Sequence, residues 1–207
     1  MFYFPNLNVV YCPIERTASR STEKYLFDHD SDGRMLGDFR HSCSAQELDG
    51  LSSTKVYATV RHPWDRLCSM FASDKEKRNS GYLTYWEDID TYLEFISKWD
   101  KEPFLLKGNL ETPNIFSPMS KLVADNEIMH FYRSQHSYLS ELKNVILLRY
   151  EDTPSITKEL WVNKEITFPE IGKTDNQSDT LFTLGRENRL KDIWPNDFVG
   201  YMSWGDR

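Results

Sequence analysis

The sequence is poor in the features that usually announce a function. It has no CxxC pair and no paired Cys/His spacing, so nothing in it suggests a zinc site. It has three cysteines, Cys12, Cys43 and Cys68, odd in number and widely spaced. They read as reduced thiols in a cytoplasm-like compartment rather than as a disulfide framework. No basic segment leading into an apolar stretch opens the chain, and no run of about 18 apolar residues follows, so neither a signal peptide nor a membrane span is expected. Positive charge is also short. A formal net charge of −7 excludes a broad nucleic-acid surface, although it leaves room for a local basic pocket. The glycine-rich loop of magnesium–nucleotide enzymes, GxxxxGK followed by Ser or Thr, is missing too.

What is present is a folded chain of mixed structure. Its 207 residues suit one domain with a sizeable core, and 39% hydrophobic with 14% aromatic residues argues against disorder. Three short apolar runs, at 8–12, 55–60 and 144–148, read as buried strands. Helical patterns alternate with them, at 21–27, from Pro63 through 64–72, at 86–99, 134–142 and 156–161. The third carries Ile89, Leu93 and Ile96 on one stripe. Strands alternating with helices predict an α/β fold, three layers deep, around a central parallel sheet. Residues 100–120, with Pro103, Gly108, Pro113 and Pro118, read as a long loop.

Ligands of such sheets bind beyond the carboxyl ends of the strands. The first two strands end in "CPIERTASRS" and "VRHPWDRLCS", and both exits are rich in anion-binding side chains. Two basic exits on one edge suggest a ligand with two separated anionic groups. At the first, Arg16 is a fixed cation, Thr17, Ser19 and Ser21 offer hydroxyls, and Ala18 is small enough to let an oxyanion reach the backbone. Such a loop can work without glycine provided that it makes no left-handed turn. At the second, Arg61 ends the strand and Ser69 follows two helical turns later. The plain alternatives are an N-cap serine with a solvated arginine pair, and ordinary surface charge on a helix.

Taken together, "IERTASRS" and "VRHPWDRLCSMF" resemble the sulfotransferase family, in particular its compact bacterial and carbohydrate-type members. "HSCSAQEL" (41–48), "HFYRSQHSYL" (130–139), "VILLRYED" (145–152), "IGKTDN" and "WPNDFVGY" resemble later segments in order, so the likeness spans nearly the whole chain. Arg16 stands where the family usually has lysine, and Glu15 where it has proline.

The resemblance implies one sulfotransferase domain over 1–207 with a P-loop-like nucleotide-binding fold. The implied donor is 3′-phosphoadenosine 5′-phosphosulfate, used without a metal. Arg16, Thr17, Ala18, Ser19, Arg20 and Ser21 would hold the 5′-phosphosulfate, and Arg61 with Ser69 the 3′-phosphate. Arg16 would also steady the leaving oxygen. His41 would be the general base for an acceptor hydroxyl on a glycan, lipid or small metabolite; its plain alternative is a partly exposed neighbour of a helix cap. His62 reads as packing beside the pocket, His130 and His136 as structural or acceptor-side, and Gln135 and Lys173 as weaker pocket candidates; His130 and Glu111 stand next in line as the base. Tyr82, Tyr85, Trp86 and Phe104 read as core or lid. A cytoplasmic location is expected. A kinase-like phosphotransferase and a non-catalytic nucleotide-binding module remain the competing readings.

Overall fold

The computed structural model describes residues 1–37, 40, 44–79, 88–101, 132–153, 157, 168–169 and 178–203. The chain forms two compact units. The first comprises Met1–Arg61, Gln135–Lys173 and Tyr201–Arg207, and the second His62–Ser134 with Thr174–Gly200.

The first unit is built on a five-stranded sheet. Its strands are β1 (Phe2–Phe4), β2 (Val9–Cys12), β3 (Arg34–Met35), β4 (Lys55–Val60) and β5 (Val145–Arg149), in the order β3-β1-β2-β4-β5. β2, β4 and β5 are parallel, as their apolar runs predict. The wholly parallel sheet expected from sequence needs correcting, because β1 and β3 run antiparallel. Only Pro5–Asn8 joins β1 to β2, too little chain for a crossover, so the two must form a hairpin. Asn8 takes φ 51 at its close.

Alternation along the strands divides the apolar side chains between two faces. Val9, Tyr11, Tyr57 and Leu148 pack with Tyr25 and Leu26 of α1 (Ser19–His29). Val10, Cys12, Val56, Ala58 and Val60 pack with Tyr138 and Leu139 and with Leu48 of a 3-10 turn at Ala45–Leu48. Within this unit, then, helix covers both sides of the sheet. α1 begins two residues before the predicted 21–27 and ends two after it.

Cys12 is disulfide-bonded, whereas Cys68 is a buried free thiol. That corrects the expectation of reduced thiols at Cys12. A disulfide also weighs against a reducing compartment, where such bonds are rare. No helix among the described residues is long and apolar enough to cross a membrane, and no group of metal-ligating side chains occurs among them.

The second unit is helical among its described residues. It contains α2 (Pro63–Asn79) and α3 (Ile89–Lys101), then α5 (Ser178–Leu181), α6 (Leu184–Ile193) and α7 (Pro195–Ser203), which closes in the first unit; α4 (Gln135–Leu139) lies wholly in the first. The stripe of Ile89, Leu93 and Ile96 is buried, as expected, against Trp64, Leu67, Phe71, Leu190 and Trp194. The last three helices carry weak apolar periodicity and were not legible. Arg66 of α2 is fully buried, its guanidinium 5.2 Å from the Trp194 ring centroid. Buried Asp74 accepts hydrogen bonds from Tyr92 Oη at 2.9 Å and Tyr132 Oη at 3.1 Å. This ties α2, α3 and residue 132 together.

Asp74→Ala removes the acceptor from both tyrosines. Each stranded buried hydroxyl costs about 1–3 kcal/mol, against about 0.5–1.5 kcal/mol for the loss of one bond in Tyr132→Phe. The urea midpoint should therefore fall clearly further for Asp74→Ala; equal shifts would show that the carboxylate does not hold the network. A second test concerns pH. Hydrogen bonds from Arg186 hold the Asp90 carboxyl below its usual range, with Arg189 adding attraction. A depressed folded-state pKa means that this stabilisation is present above the unfolded carboxyl value and disappears as pH falls through the folded one. Asp90→Asn should flatten that acid limb of the stability curve, and an unchanged limb would remove Asp90 from the account.

Candidate anion-binding site

β2 delivers the chain into the site. Its four residues are buried, and Pro13 and Ile14 continue the burial beyond it. The backbone then turns sharply. Arg16 has φ 66 and Ala18 has φ 63 with ψ 22, both left-handed. Each such turn costs a non-glycine residue roughly 1–2 kcal/mol. The expectation that the loop avoids left-handed turns is therefore overturned: it makes two, without glycine.

Buried hydroxyls hold this shape. Thr17 Oγ1 donates to the Ile14 carbonyl at 3.0 Å and lies 3.0 Å from Thr59 Oγ1. Thr59, on β4, shares a 2.7 Å hydrogen bond with Tyr11 Oη on β2. Tyr11, Thr17 and Thr59 are all fully buried. Burial pushes the Tyr11 hydroxyl far up, so it stays protonated. Thr17 is the sequence candidate most altered by this view. Its hydroxyl proton goes to Ile14, so the hydroxyl has none left to donate to a ligand.

Left-handed residues at 16 and 18, separated by Thr17, turn successive N–H groups towards one concavity, the arrangement that binds anions elsewhere. α1 starts immediately afterwards with Ala18 as N-cap, whose side chain caps nothing. The first N–H groups of the helix therefore receive no cap from it. Ser19 and Ser21 are buried in this first turn, Arg16 and Ala18 half-buried, and Arg20 exposed. A cation that the sequence did not reveal stands beside them. Arg40 Nε donates to both Glu23 oxygens, at 2.8 and 2.9 Å, and its Nη2 reaches Ser19 Oγ at 3.5 Å.

The second exit follows β4. The register sets Cys12 beside Ala58 and Val60 beside Arg149, so the carboxyl ends of β2, β4 and β5 share one edge. Arg61 leaves from that edge. Its guanidinium lies over the Tyr150 ring at 4.6 Å, and its Nε is buried with no hydrogen-bond partner among the described residues. Gln135, fully buried, grips the Arg61 backbone: Arg61 N–H donates to Gln135 Oε1 and Gln135 Nε2 donates to the Arg61 carbonyl, both at 2.8 Å.

Ser69 is buried in α2 of the second unit. His62 packs edge-on against Phe198, and His136 is exposed on α4. His41, Lys173, His130, Glu111, Tyr82, Tyr85, Trp86 and Phe104 lie outside the described residues. Sequence reasoning missed Tyr11, Thr59, Arg40 and Tyr150. None carries a local signal, because each acts through a partner distant in sequence. Comparison with protein-family models, with curated proteins and with solved structures finds no match to this chain.

The left-handed turn at Ala18 predicts opposite effects of two substitutions. Ala18→Gly should raise stability by up to about 1 kcal/mol, and Ala18→Val, with a branched side chain in the same conformation, should lower it. Denaturation curves that move the same way for both would contradict the turn.

Proposed function

We propose that this chain is a sulfotransferase with a P-loop-like nucleotide-binding fold. It would move a sulfuryl group from 3′-phosphoadenosine 5′-phosphosulfate to a hydroxyl acceptor on a glycan, lipid or small metabolite. One observation carries the reading: two anion-suited exits leave one sheet edge, the left-handed turn into α1, which the Ala18 side chain does not cap, and the Arg61 side chain, whose buried Nε has no hydrogen-bond partner among the described residues. The donor has the matching pair of anionic groups, a 5′-phosphosulfate and a 3′-phosphate. The motif likeness supplies its identity.

The chemistry asks for in-line geometry and neutralised charge rather than a covalent intermediate. The acceptor oxygen bonds to sulfur as the bond from sulfur to the phosphate oxygen breaks. The acceptor proton passes to a base, the role the motif likeness gives to His41. Charge growing on the departing phosphate oxygen is met by Arg16 and the N–H groups of the turn, which matter most in the transition state. Arg61 holds the 3′-phosphate. The disulfide at Cys12 favours an oxidising compartment over the cytoplasm for this activity.

Adenosine 3′,5′-bisphosphate should raise the melting temperature, since a ligand bound only by the native state stabilises it, while magnesium-ATP should not. Arg61→Ala should weaken bisphosphate binding about ten- to a hundredfold, the worth of one charged hydrogen bond. Label from the sulfuryl donor should then pass to a component of a glycan and metabolite extract with a chelator present. A bisphosphate that leaves the melting temperature unchanged sinks the proposal. Transfer that needs magnesium favours the kinase-like alternative, and binding without transfer favours the non-catalytic module.

A further inference from the structure

We infer that Gln135 is the positioning residue for Arg61, holding its backbone so that the guanidinium meets the donor's 3′-phosphate while Gln135 itself touches no ligand. The inference rests on the reading of Arg61 given above and adds the device that makes it work.

The need for such a device comes from where Arg61 stands. β4 ends at Val60, and the ladder to β5 continues only through Tyr150 N–H donating to the Val60 carbonyl at 2.7 Å. One residue later the sheet offers Arg61 no partner strand, so its N–H and C=O would hang at the edge. A buried backbone pair left unsatisfied is costly, and an unrestrained one lets the side chain swing. Gln135 removes both problems. A primary carboxamide sets an acceptor oxygen beside an NH2 donor group at the spacing of a peptide group, so it can replace a missing strand. Its two bonds at 2.8 Å to Arg61 N–H and C=O do this. Glutamine is the wrong length and polarity for a core position unless its amide is used, yet here it is fully buried.

The side chain of Arg61 is steadied separately. The Tyr150 ring lies beneath its guanidinium, and stacking restrains the plane while leaving the N–H edge available. Backbone clasp and ring together fix both ends of the residue. A guanidinium fixed in this way meets an anion with little further loss of freedom.

The test measures two ligands on the intact chain by calorimetric titration: adenosine 3′,5′-bisphosphate and adenosine 5′-phosphate. In Gln135→Leu, bisphosphate affinity should fall about tenfold or more, towards that of the monophosphate, because the charged contact of Arg61 is misplaced. Monophosphate affinity should hold within about twofold. Gln135→Glu supplies a reading that does not depend on the leucine variant folding. A protonated Glu can still donate to the Arg61 carbonyl and accept from its N–H, whereas an ionised one sets acceptor against acceptor. Its bisphosphate affinity relative to the parent should therefore fall as pH rises through the titration of that carboxyl. If both ligands lose affinity equally in Gln135→Leu, or neither loses any, the positioning role is wrong. A flat ratio across pH for Gln135→Glu overturns it as well. If the parent chain binds no bisphosphate, the donor reading fails first and takes this inference with it.

Discussion

The chain of buried hydroxyls from Tyr11 through Thr59 to Thr17 is the constraint on which the first unit's site depends. It joins two neighbouring parallel strands to the loop that leaves one of them. Together with the bonds from Thr22 N–H and Oγ1 to the Ala18 carbonyl, it holds Arg16 and Ala18 in left-handed geometry. Glycine would ease that strain but also loosen the turn. Hydroxyl anchoring keeps it stiff at the cost of local strain, which the buried bonds must exceed.

The layout of the first unit was legible in the sequence, for a physical reason. β2 and all of β4 but Lys55 are buried, and β5 is a short run of Val, Ile and Leu that closes on Arg149, so the three strands stand out as apolar runs. β1 and β3 were not legible: β1 has three residues and β3 two exposed ones, and neither has a period to read. The site was legible as composition but not as roles. Arg16, Ser19 and Arg61 sit where their motifs suggested, at the exits of adjacent strands. Thr17 looked like a ligand donor and is a strut, since a hydroxyl's partner 42 residues away is invisible locally. Arg40, beside Ser19 only after folding, could not be placed at all, and Gln135 read only as a weaker pocket candidate because its partner Arg61 is 74 residues away.

Charge is handled differently in the two units. In the first, the cations near α1 and β4 keep open edges: Arg20 is exposed, and the Arg61 Nε is unpartnered among the described residues. In the second, Arg66 and Asp74 are taken out of water and surrounded by Trp194, Tyr92 and Tyr132. A buried charge is tolerated only with such company, and it specifies one packing of the helices rather than many. The same residue types therefore stay at the surface in one place and build the packing in the other, and only burial tells them apart.

The clasp between Arg61 and Gln135 also has a kinetic meaning. It joins residues 74 positions apart and closes a chain loop over the stretch that makes up most of the second unit. Closing so long a loop is slow and entropically opposed, and contacts inside the loop form sooner. During synthesis Arg61 emerges well before the glutamine that seats it. The two exits of the sheet edge thus mature at different times, the first once Thr59 has joined Tyr11 and Thr17 and the second only after residue 135 has docked. A newly made chain passes through a stage in which the first exit is shaped and the second is not.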